Sequence, residues 1–199
     1  MRLEAIVLAA GAGSRFGGGK LLAPWRGGVL LDGALGAAFA APVRTVTVVT
    51  GADAERVEAA ARAFADAAGQ AARLRVVHAA EHAEGMGASL RTGVGALPDD
   101  AQGVFVFLGD MPSIPLGLPG TLAAALENAA AVPVFEGAQG HPVLFGQTLL
   151  PALTALSGDR GARAILDGLG GNLALVTSPD AGILWDVDTP DDLVRQRLR

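Results

Sequence analysis

The 199-residue sequence contains no cysteine, which excludes disulfide bonds, thiolate nucleophiles and cysteine-ligated zinc or iron–sulfur centres. Tyrosine is also absent and aromatic residues make up only 5%, so any core must be aliphatic. The 15 basic residues are outnumbered by 20 acidic ones, which argues against a nucleic-acid-binding surface. No apolar run approaches the roughly 20 residues of a membrane span, and the apolar start is too short for an export signal. We therefore expect a cytoplasmic protein with neither nucleic acid nor membrane as a partner.

Hydrophobic residues make up 51% of the chain, and glycine accounts for 28 positions. This composition allows a sizeable core and predicts several tight backbone turns. Short apolar runs alternate with segments of helical periodicity, with Asp53 and Thr189 as expected N-caps of two helices. The alternation predicts one three-layer α/β domain over residues 1–199, with a mostly parallel central sheet. The expected strands are 5–9, 45–50, 74–77, 104–108, 131–135, 142–145, 173–177 and 183–187.

The strongest chemical signal is the segment LAAGAGSRFGGGK, which runs from Leu8 to Lys20 directly after the first predicted strand. Glycines present consecutive backbone N–H groups to an anion, and Arg15 and Lys20 add positive charge. A flexible surface loop with two solvated cations is the alternative interpretation. The segment is not a P-loop, because Leu21 follows Lys20, nor a dinucleotide fingerprint, because Phe16 replaces the third glycine. The pattern therefore predicts a phosphate-binding loop of another type.

Acidic residues follow two predicted strands, at the ends where an open α/β sheet binds ligands. Asp110 comes after the fourth predicted strand, and Asp186 and Asp188 end the last one, where strand alternation puts both carboxylates on one side. Acids that face a cationic glycine loop form a site for Mg²⁺ or Mn²⁺ bridging phosphate oxygens. A turn role for Asp110 and a capping role for the other two are the alternatives. His78 and His82 lack a third ligand, so no zinc site is expected.

Four further residues are candidates for substrate contacts. Ser89 lies where a helix begins after the third predicted strand, and the N–H groups there could receive polar atoms of a base. An ordinary N-cap serine is the alternative. Arg160 and Arg163 are three residues apart and share a helical face, where they bind an anionic substrate or pair with nearby aspartates. His141 precedes a proline, a position that is more often structural than catalytic.

The segment LAAGAGSRFGGGKLLAPW resembles the signature of nucleotidyltransferases related to the molybdenum cofactor guanylyl- and cytidylyltransferases, the MobA-like family. Matches to that family continue along the chain as EGMGASL, LGDMPSI, GHPVLF, GDRGAR and WDVDTPDDL. Their order and spacing are most similar to the cytidylyltransferase branch, and LAAG in place of LAGG indicates the same branch. The sequence departs from the family at Gly87, where relatives usually carry serine.

The resemblance implies a Rossmann-like nucleotidyltransferase fold and Mg²⁺-dependent transfer of CMP from CTP to molybdenum-carrying molybdopterin, with release of pyrophosphate. It implies catalytic roles for Arg15, Lys20 and Asp110. It places the metal on Asp110 and Asp188, and Asp186 is our reserve candidate. It implies that the nucleotide is bound by Leu8, Ala9, Ala10, Gly11, Gly13, Arg15, Lys20, Gly85 and Ser89. It implies that the acceptor is contacted by His141, and Arg160 and Arg163 are further candidates.

Other functions fit the sequence less well. A guanylyltransferase, or an enzyme for another phosphorylated acceptor, is the alternative within the class, although Ala10 stands where guanylyl enzymes usually have glycine. A non-catalytic nucleotide- or cofactor-binding carrier is expected to have lost a metal acid or a loop cation, and this chain keeps them. The failed dinucleotide fingerprint disfavours an NAD(P)-dependent oxidoreductase. The expected partner is a molybdenum hydroxylase or its maturation chaperone, which would receive the finished cofactor.

Overall fold

The computed structural model of the chain describes residues 1–127, 129–158 and 161–197. Strands and helices alternate along these ranges, as the periodicity predicts. The strands are β1 (Leu3–Ala9), β2 (Pro24–Trp25), β3 (Gly28–Val29), β4 (Val46–Thr50), β5 (Leu74–His78), β6 (Gly103–Leu108), β7 (Ala130–Phe135), β8 (Ala138–Gln139), β9 (Val143–Gly146) and β10 (Leu173–Thr177). The helices are α1 (Leu30–Ala40), α2 (Ala54–Ala67), α3 (Met86–Gly95), α4 (Leu118–Ala125), α5 (Leu150–Thr154), α6 (Arg163–Asp167) and α7 (Pro190–Arg197).

The main sheet is mostly parallel, with one reversed strand in its interior. Its order is β10–β7–β9–β6–β1–β4–β5, and β8 pairs with β7. Strands β6, β1, β4 and β5 are parallel neighbours, β10 is parallel to β7, and β9 runs antiparallel between β6 and β7. Because β9 is reversed, the residues that precede it lie at the same edge as the carboxyl ends of the parallel strands.

Helices cover both faces of this sheet, which gives the predicted three layers. Along β1, Ala5 and Val7 face one hydrophobic core and Ile6 faces the other, and all three side chains are fully buried. The first core is completed by residues of α1, α2 and α4, and the second by residues of α3, α5 and α6. An apolar run without alternation is the pattern expected of a central strand that is buried on both faces.

The predicted strand 183–187 is wrong. The chain forms a 3₁₀ turn over Ala181–Leu184 and continues to Asp188 without regular structure. Ile183 and Val187 are fully buried, so the apolar alternation reflects one-sided burial of an irregular segment. The backbone of this segment bonds to a loop, since the N–H of Val187 donates to the carbonyl of Asp110 at 3.0 Å.

The two predicted helix starts are confirmed, with different local chemistry. Helix α2 follows Asp53, but the Asp53 carboxylate makes no capping bond and lies 3.4 Å from the guanidinium of Arg56. Helix α7 follows Thr189, whose N–H and hydroxyl both donate to Oδ2 of Asp192, at 2.8 and 2.7 Å. This second arrangement satisfies backbone N–H groups at the start of α7, which is the role of a capping interaction.

The order of the strands identifies the edge at which a ligand is expected. Strands β4 and β5 lie to one side of β1, while β6 lies to its other side. Open α/β sheets bind ligands outside the carboxyl ends of their strands at such a reversal of strand order. None of the helices in the described ranges combines the length and apolar character needed to cross a membrane.

Candidate active site

Strands β1 and β6 deliver the glycine loop and Asp110 to the same edge of the sheet. Leu8 pairs with Leu108 in register, and the N–H of Gly109 donates to the carbonyl of Leu8 at 2.9 Å. A Cβ atom at Gly109 would lie 3.0 Å from that carbonyl oxygen, so glycine permits this close approach. Asp110 therefore emerges beside the start of the glycine loop, as its position after a strand predicts.

The glycine loop folds back so that Lys20 lies against Gly13. Its turns use positive φ angles, which glycine adopts readily, at Gly13 (61°), Gly17 (89°), Gly18 (95°) and Gly19 (62°). Space is also short at Gly13, where a Cβ atom would lie 2.9 Å from the Cβ of Lys20. The loop thereby directs Lys20 toward the sheet edge, and only 13% of the Lys20 side chain is exposed.

Lys20 bridges two of the acids that the sequence singles out. Its Nζ lies 2.7 Å from Asp110 Oδ2 and 3.2 Å from Asp188 Oδ1. Burial acts to lower the pKa of Lys20, but the charges and hydrogen bonds of the two carboxylates outweigh it, so the pKa lies above its usual 10.5. The ammonium group is therefore charged at neutral pH and holds the segments of Asp110 and Asp188 together.

Arg15 adds a second cation to the same place. Its Nη1 lies 3.2 Å from Asp188 Oδ2, but 79% of the Arg15 side chain is exposed, so this ion pair by itself contributes little stability. A cavity of about 230 Å³ is lined by Gly13, Ser14, Arg15, Lys20 and Asp188. Two cations and the turn at Gly13 around one polar cavity are the elements of a site for phosphate groups.

The segment with Asp186 and Asp188 reaches the site without being a strand. The N–H groups of Asp188 and Thr189 donate to Asp192 Oδ2, so the capping network of α7 is centred on Asp192 and leaves the Asp188 carboxylate available to Lys20. Burial raises the pKa of Asp186, and the charges of Asp188 and Asp110 raise it further. All three carboxylates therefore belong to one electrostatic cluster.

The carboxylate oxygens of the site suit a hard divalent cation that binds together with a phosphate group. Oxygens of Asp110 and Asp188 converge on one ammonium group, at 2.7 and 3.2 Å. Within the described ranges, no group of three or more His, Cys, Asp or Glu side chains is placed to hold a metal alone. Mg²⁺ typically uses one or two carboxylates and completes its shell with phosphate oxygens and water. The two carboxylates match that requirement.

A cavity of about 330 Å³, here called the first cavity, opens between the end of β1 and the start of α3. Its lining is Leu8, Ala10, Gly11, His82, Gly85, Met86, Ser89, Leu108 and Asp110. Ser89 is 4% exposed and lies in the first turn of α3, whose N-cap is Gly85, so Ser89 is not the N-cap. Ala9 ends β1 with its side chain in the core and does not line this cavity.

His82 and Met86 are lining residues that the sequence analysis did not select for this site. Nδ1 of His82 lies 2.9 Å from the carbonyl oxygen of Ala79, and Met86 is 47% exposed. Both residues lie within three positions of Gly85, which was selected. That proximity in the chain is the signal that could have identified them, since a loop that turns at one residue often presents its neighbours to the same cavity.

A second, smaller cavity of about 140 Å³ adjoins the first and includes His141 in its lining. Burial lowers the pKa of His141, while the backbone carbonyl of Val106 and the charge of Asp110 act in the opposite direction. The imidazole is therefore neutral near neutral pH. The two cavities share Leu8, Met86 and Leu108 in their linings, so they adjoin at these side chains.

The two arginines proposed as acceptor contacts differ in what the structure shows. Arg163 begins α6 and lines the second cavity, but 66% of its side chain is exposed and its Nε lies 3.1 Å from Asp167 Oδ1. The pairing with a neighbouring aspartate is thus present, as the alternative interpretation predicted. Arg160 lies outside the described residues.

Comparisons with known proteins identify the family of the chain. Residues 5–174 match the family model described as the MobA-like NTP transferase domain. The chain is 32% identical to the purine catabolism protein PucB of Bacillus subtilis (strain 168), over 98% of this chain and 97% of that protein. It is 26% identical to the molybdenum cofactor cytidylyltransferase of Escherichia coli (strain K12), over 99% and 96% of the two chains.

The fold is also shared with a solved structure, Rv0371c from Mycobacterium tuberculosis H37Rv. The two are 26% identical, with a TM-score of 0.84 over 100% of this chain and 99% of that one. Rv0371c has also been solved in complex with manganese, with a TM-score of 0.78 over 98% and 97% of the two chains. The likeness therefore extends over the whole length of both proteins.

Proposed function

This chain belongs to the MobA-like NTP transferase family, and from that membership we propose that it transfers CMP from CTP to molybdenum-carrying molybdopterin in the cytoplasm. The products are molybdopterin cytosine dinucleotide and pyrophosphate. The observation that carries the proposal is the convergence of Lys20, Asp110 and Asp188 from three separate segments, with Asp110 also lining the nucleoside-sized first cavity.

The phosphate-binding part of the site supports this chemistry. The terminal phosphate of the acceptor attacks the α-phosphorus of CTP, a new P–O bond forms, and the bond to the β-phosphate oxygen breaks as pyrophosphate leaves. The attacking phosphate is already anionic, so the reaction needs positioning and charge neutralisation and no general base. Lys20 and Arg15 hold the triphosphate and offset the charge that develops on the leaving pyrophosphate.

The proposed reaction uses a divalent metal ion, and the carboxylates of the site are suited to bind it. Asp110 and Asp188 would hold Mg²⁺ or Mn²⁺, with Asp186 in reserve. When bound, such an ion neutralises phosphate charge as a Lewis acid and orients the reacting groups. The manganese complex of the relative Rv0371c supports the use of a divalent cation. Lys20 brings the two carboxylates together, since its ammonium nitrogen lies 2.7 Å from an oxygen of Asp110 and 3.2 Å from an oxygen of Asp188.

The first cavity supports the nucleoside part of the proposal. Its volume of about 330 Å³ falls within the range of roughly 300–1,000 Å³ that is usual for small-ligand sites. Ala10 and Gly11 of the glycine loop and Ser89 in the first turn of α3 all line it. We assign CTP because Ala10 occupies the position where guanylyl enzymes of this type usually have glycine, and because one relative is named as a cytidylyltransferase.

The choice of molybdopterin as the acceptor is supported mainly by the cytidylyltransferase relative. The choice of the protein that receives the product is supported by a different relative, PucB. The name of PucB, a purine catabolism protein, supports delivery of the product to a molybdenum hydroxylase or its maturation chaperone in such a process. Transfer of GMP, or transfer to another phosphorylated acceptor, is the competing assignment, since the phosphate-binding residues serve either. Loss of Lys20, Asp110 or Asp188 would be expected of a non-catalytic carrier, and all three are present.

The test is the release of pyrophosphate with Mg²⁺ and each of CTP, GTP, ATP and UTP, with and without molybdenum-loaded molybdopterin. We expect release only when CTP and the cofactor are both present. Release with GTP in place of CTP would reassign the nucleotide. Saturable binding of CTP without release would retain the nucleotide site and reject the acceptor.

A further inference from the structure

Arg91 lies on α3, two residues after Ser89, and the lining of neither cavity includes it. Its side chain is 30% exposed and extends to two loops that are distant from each other in the sequence. Nη2 pairs with the carboxylate of Glu81 and lies 3.6 Å from Oε2 of Glu84, while Nη1 donates to the carbonyl of Leu156 at 2.7 Å. One guanidinium group therefore joins α3 to both loops.

The first of these loops, residues 80–85, forms part of the wall of the first cavity. His82 and Gly85 are both lining residues of that cavity. No residue of the loop is buried, and the side chains of Glu81 and Glu84 are 60% and 54% exposed. A segment with few buried apolar contacts opens at little cost in free energy. Polar contacts such as those of Arg91 therefore decide how firmly this part of the cavity wall is held.

The second loop follows α5 and lies against the first turn of α3. The N–H of Gly87 donates to the carbonyl of Gly158 at 2.9 Å. Gly158 also lies beside loop 80–85, since a Cβ atom at Gly158 would be 3.9 Å from the carbonyl oxygen of Glu84. Because Arg91 binds the carbonyl of Leu156 in the same loop, its guanidinium group completes a ring of contacts around the start of α3.

The contacts of Arg91 use the shape of its side chain as well as its charge. A guanidinium group carries five N–H donors in one plane, so it can bond to partners on two sides at once, whereas a lysine ammonium is a single point of charge. Here one nitrogen bonds to a backbone carbonyl and another to the carboxylates. Exposed ion pairs add little to the stability of a fold. We therefore expect these contacts to act on the position of loop 80–85.

We propose that Arg91 is a positioning residue for the nucleoside, because it holds loop 80–85 against α3 and thereby fixes one wall of the first cavity. Arg91 acts through the loop, since it does not itself line the cavity. The inference rests on the proposed function for the assignment of this cavity to the nucleoside of CTP. The phosphate groups have a separate place beside Arg15 and Lys20. Loss of Arg91 is therefore expected to affect binding of the nucleoside and not of the phosphates.

The direct test is calorimetric titration, in the presence of Mg²⁺, with CTP and with inorganic tripolyphosphate as a probe of the phosphate site alone. Arg91→Gln should weaken binding of CTP about fivefold or more and leave the affinity for tripolyphosphate unchanged. Arg62→Gln is the matched control and should bind CTP as the wild type does, because Arg62 is an exposed arginine on α2 that also pairs with a glutamate, Glu58. Unchanged CTP affinity in Arg91→Gln, or equal weakening of both ligands, would overturn the proposal.

Two further variants separate the geometry of the contacts from their charge. Arg91→Lys keeps the positive charge but cannot serve partners on two sides, so it should bind CTP about threefold or more weakly than the wild type. Glu81→Gln, at an exposed residue of the loop, should weaken CTP binding in the wild-type protein and have no effect in Arg91→Gln. Wild-type affinity in Arg91→Lys, or additive effects of the other two changes, would overturn the proposal. Thermal melting of every variant checks that it is folded.

Turnover separates this inference from the proposed function. CTP affinity that depends on Arg91, without release of pyrophosphate in the presence of the acceptor, would keep the positioning role and reject the proposed reaction. Binding of GTP in place of CTP, with the same dependence, would keep the role and reassign the nucleotide. If the reaction does occur, Arg91→Gln should raise KM for CTP about fivefold or more and leave KM for the acceptor unchanged. An unchanged KM for CTP would overturn the positioning role and leave the reaction in place.

Discussion

The ammonium nitrogen of Lys20 lies 2.7 Å from Oδ2 of Asp110, so an ion pair ties the glycine loop to the end of β6. The two side chains are 13% and 24% exposed, which places the pair in a partly desolvated cleft. Lys20 is also the only lysine in the sequence. In the proposed reaction the two residues bind ligands of opposite charge: Lys20 binds a phosphate and Asp110 binds a metal cation. We therefore expect nucleotide and metal to separate the pair.

Asp110 is predicted to be essential for turnover and dispensable for folding. Asp110→Ala and Asp110→Asn should lower kcat by about 10³-fold, because a metal ligand worth several kcal/mol is lost and each 1.36 kcal/mol is a factor of ten. The fold should persist, since the side chain lies in an accessible cleft. The measurement is pyrophosphate release with a thermal melt, and Asp66→Asn on exposed α2 is the control. Wild-type turnover in the Asp110 variants would remove this residue from the metal site.

Lys20 is predicted to act on the triphosphate. Lys20→Ala should raise KM for the nucleotide and lower kcat, with kcat/KM reduced about 10- to 100-fold for one charged hydrogen bond. An unchanged kcat/KM would make Lys20 a merely structural cation. Because the chain has no other lysine, an amine-acylating reagent labels only this side chain and the N-terminus. CTP with Mg²⁺ should protect Lys20 and leave labelling of the N-terminus unchanged.

Gly13 is predicted to be required for the shape of the loop. Gly13→Ala places a side chain at a φ of 61°, which costs about 1–2 kcal/mol, and brings its Cβ to 2.9 Å from that of Lys20. Stability should fall by about that amount, and affinity for CTP should fall as Lys20 is displaced. Gly95→Ala, at a helical position with open space, is the matched control and should be neutral or stabilising. Equal effects of the two changes would contradict the steric argument.

The ion pairs at the opposite edge of the sheet predict a pH-dependent stability. Arg44 holds the pKa of Asp100 below its usual 3.8, mainly through hydrogen bonds of 2.7 and 3.0 Å, and Arg2 acts in the same direction. A lowered pKa stabilises the folded state above the unfolded-state pKa, and this stabilisation is lost as pH falls through the folded-state pKa. Asp100→Asn should therefore lower Tm at neutral pH, and the difference from wild type should shrink as pH falls below 3.8, the usual pKa of the carboxyl group. Asp99→Asn, at the exposed neighbouring residue, should show no such dependence.

The sequence predicted the residues of the candidate site better than the structure around them. Asp110 and Lys20 were identifiable because an acid after an apolar strand and a cation after a glycine run are local patterns. Asp188 was also identified, but on the assumption of a strand that does not form. The segment reaches the site through the bond between Val187 and the backbone of Asp110, which no periodicity reveals. Ala9 was assigned to the nucleotide site as part of its motif, yet its side chain lies in the core.

The amino-acid sequence by itself determined the three-layer α/β fold, the glycine loop and the chemical groups of the site. Each of these depends on residue type and on spacing within a few residues, which the chain displays directly. The tertiary structure alone decided the reversal of β9, the shared ammonium between Asp110 and Asp188, and the second cavity, which Gln139 and His141 help to line. These features depend on which distant segments pack together, and the free energy of that packing is distributed over contacts that no local pattern contains.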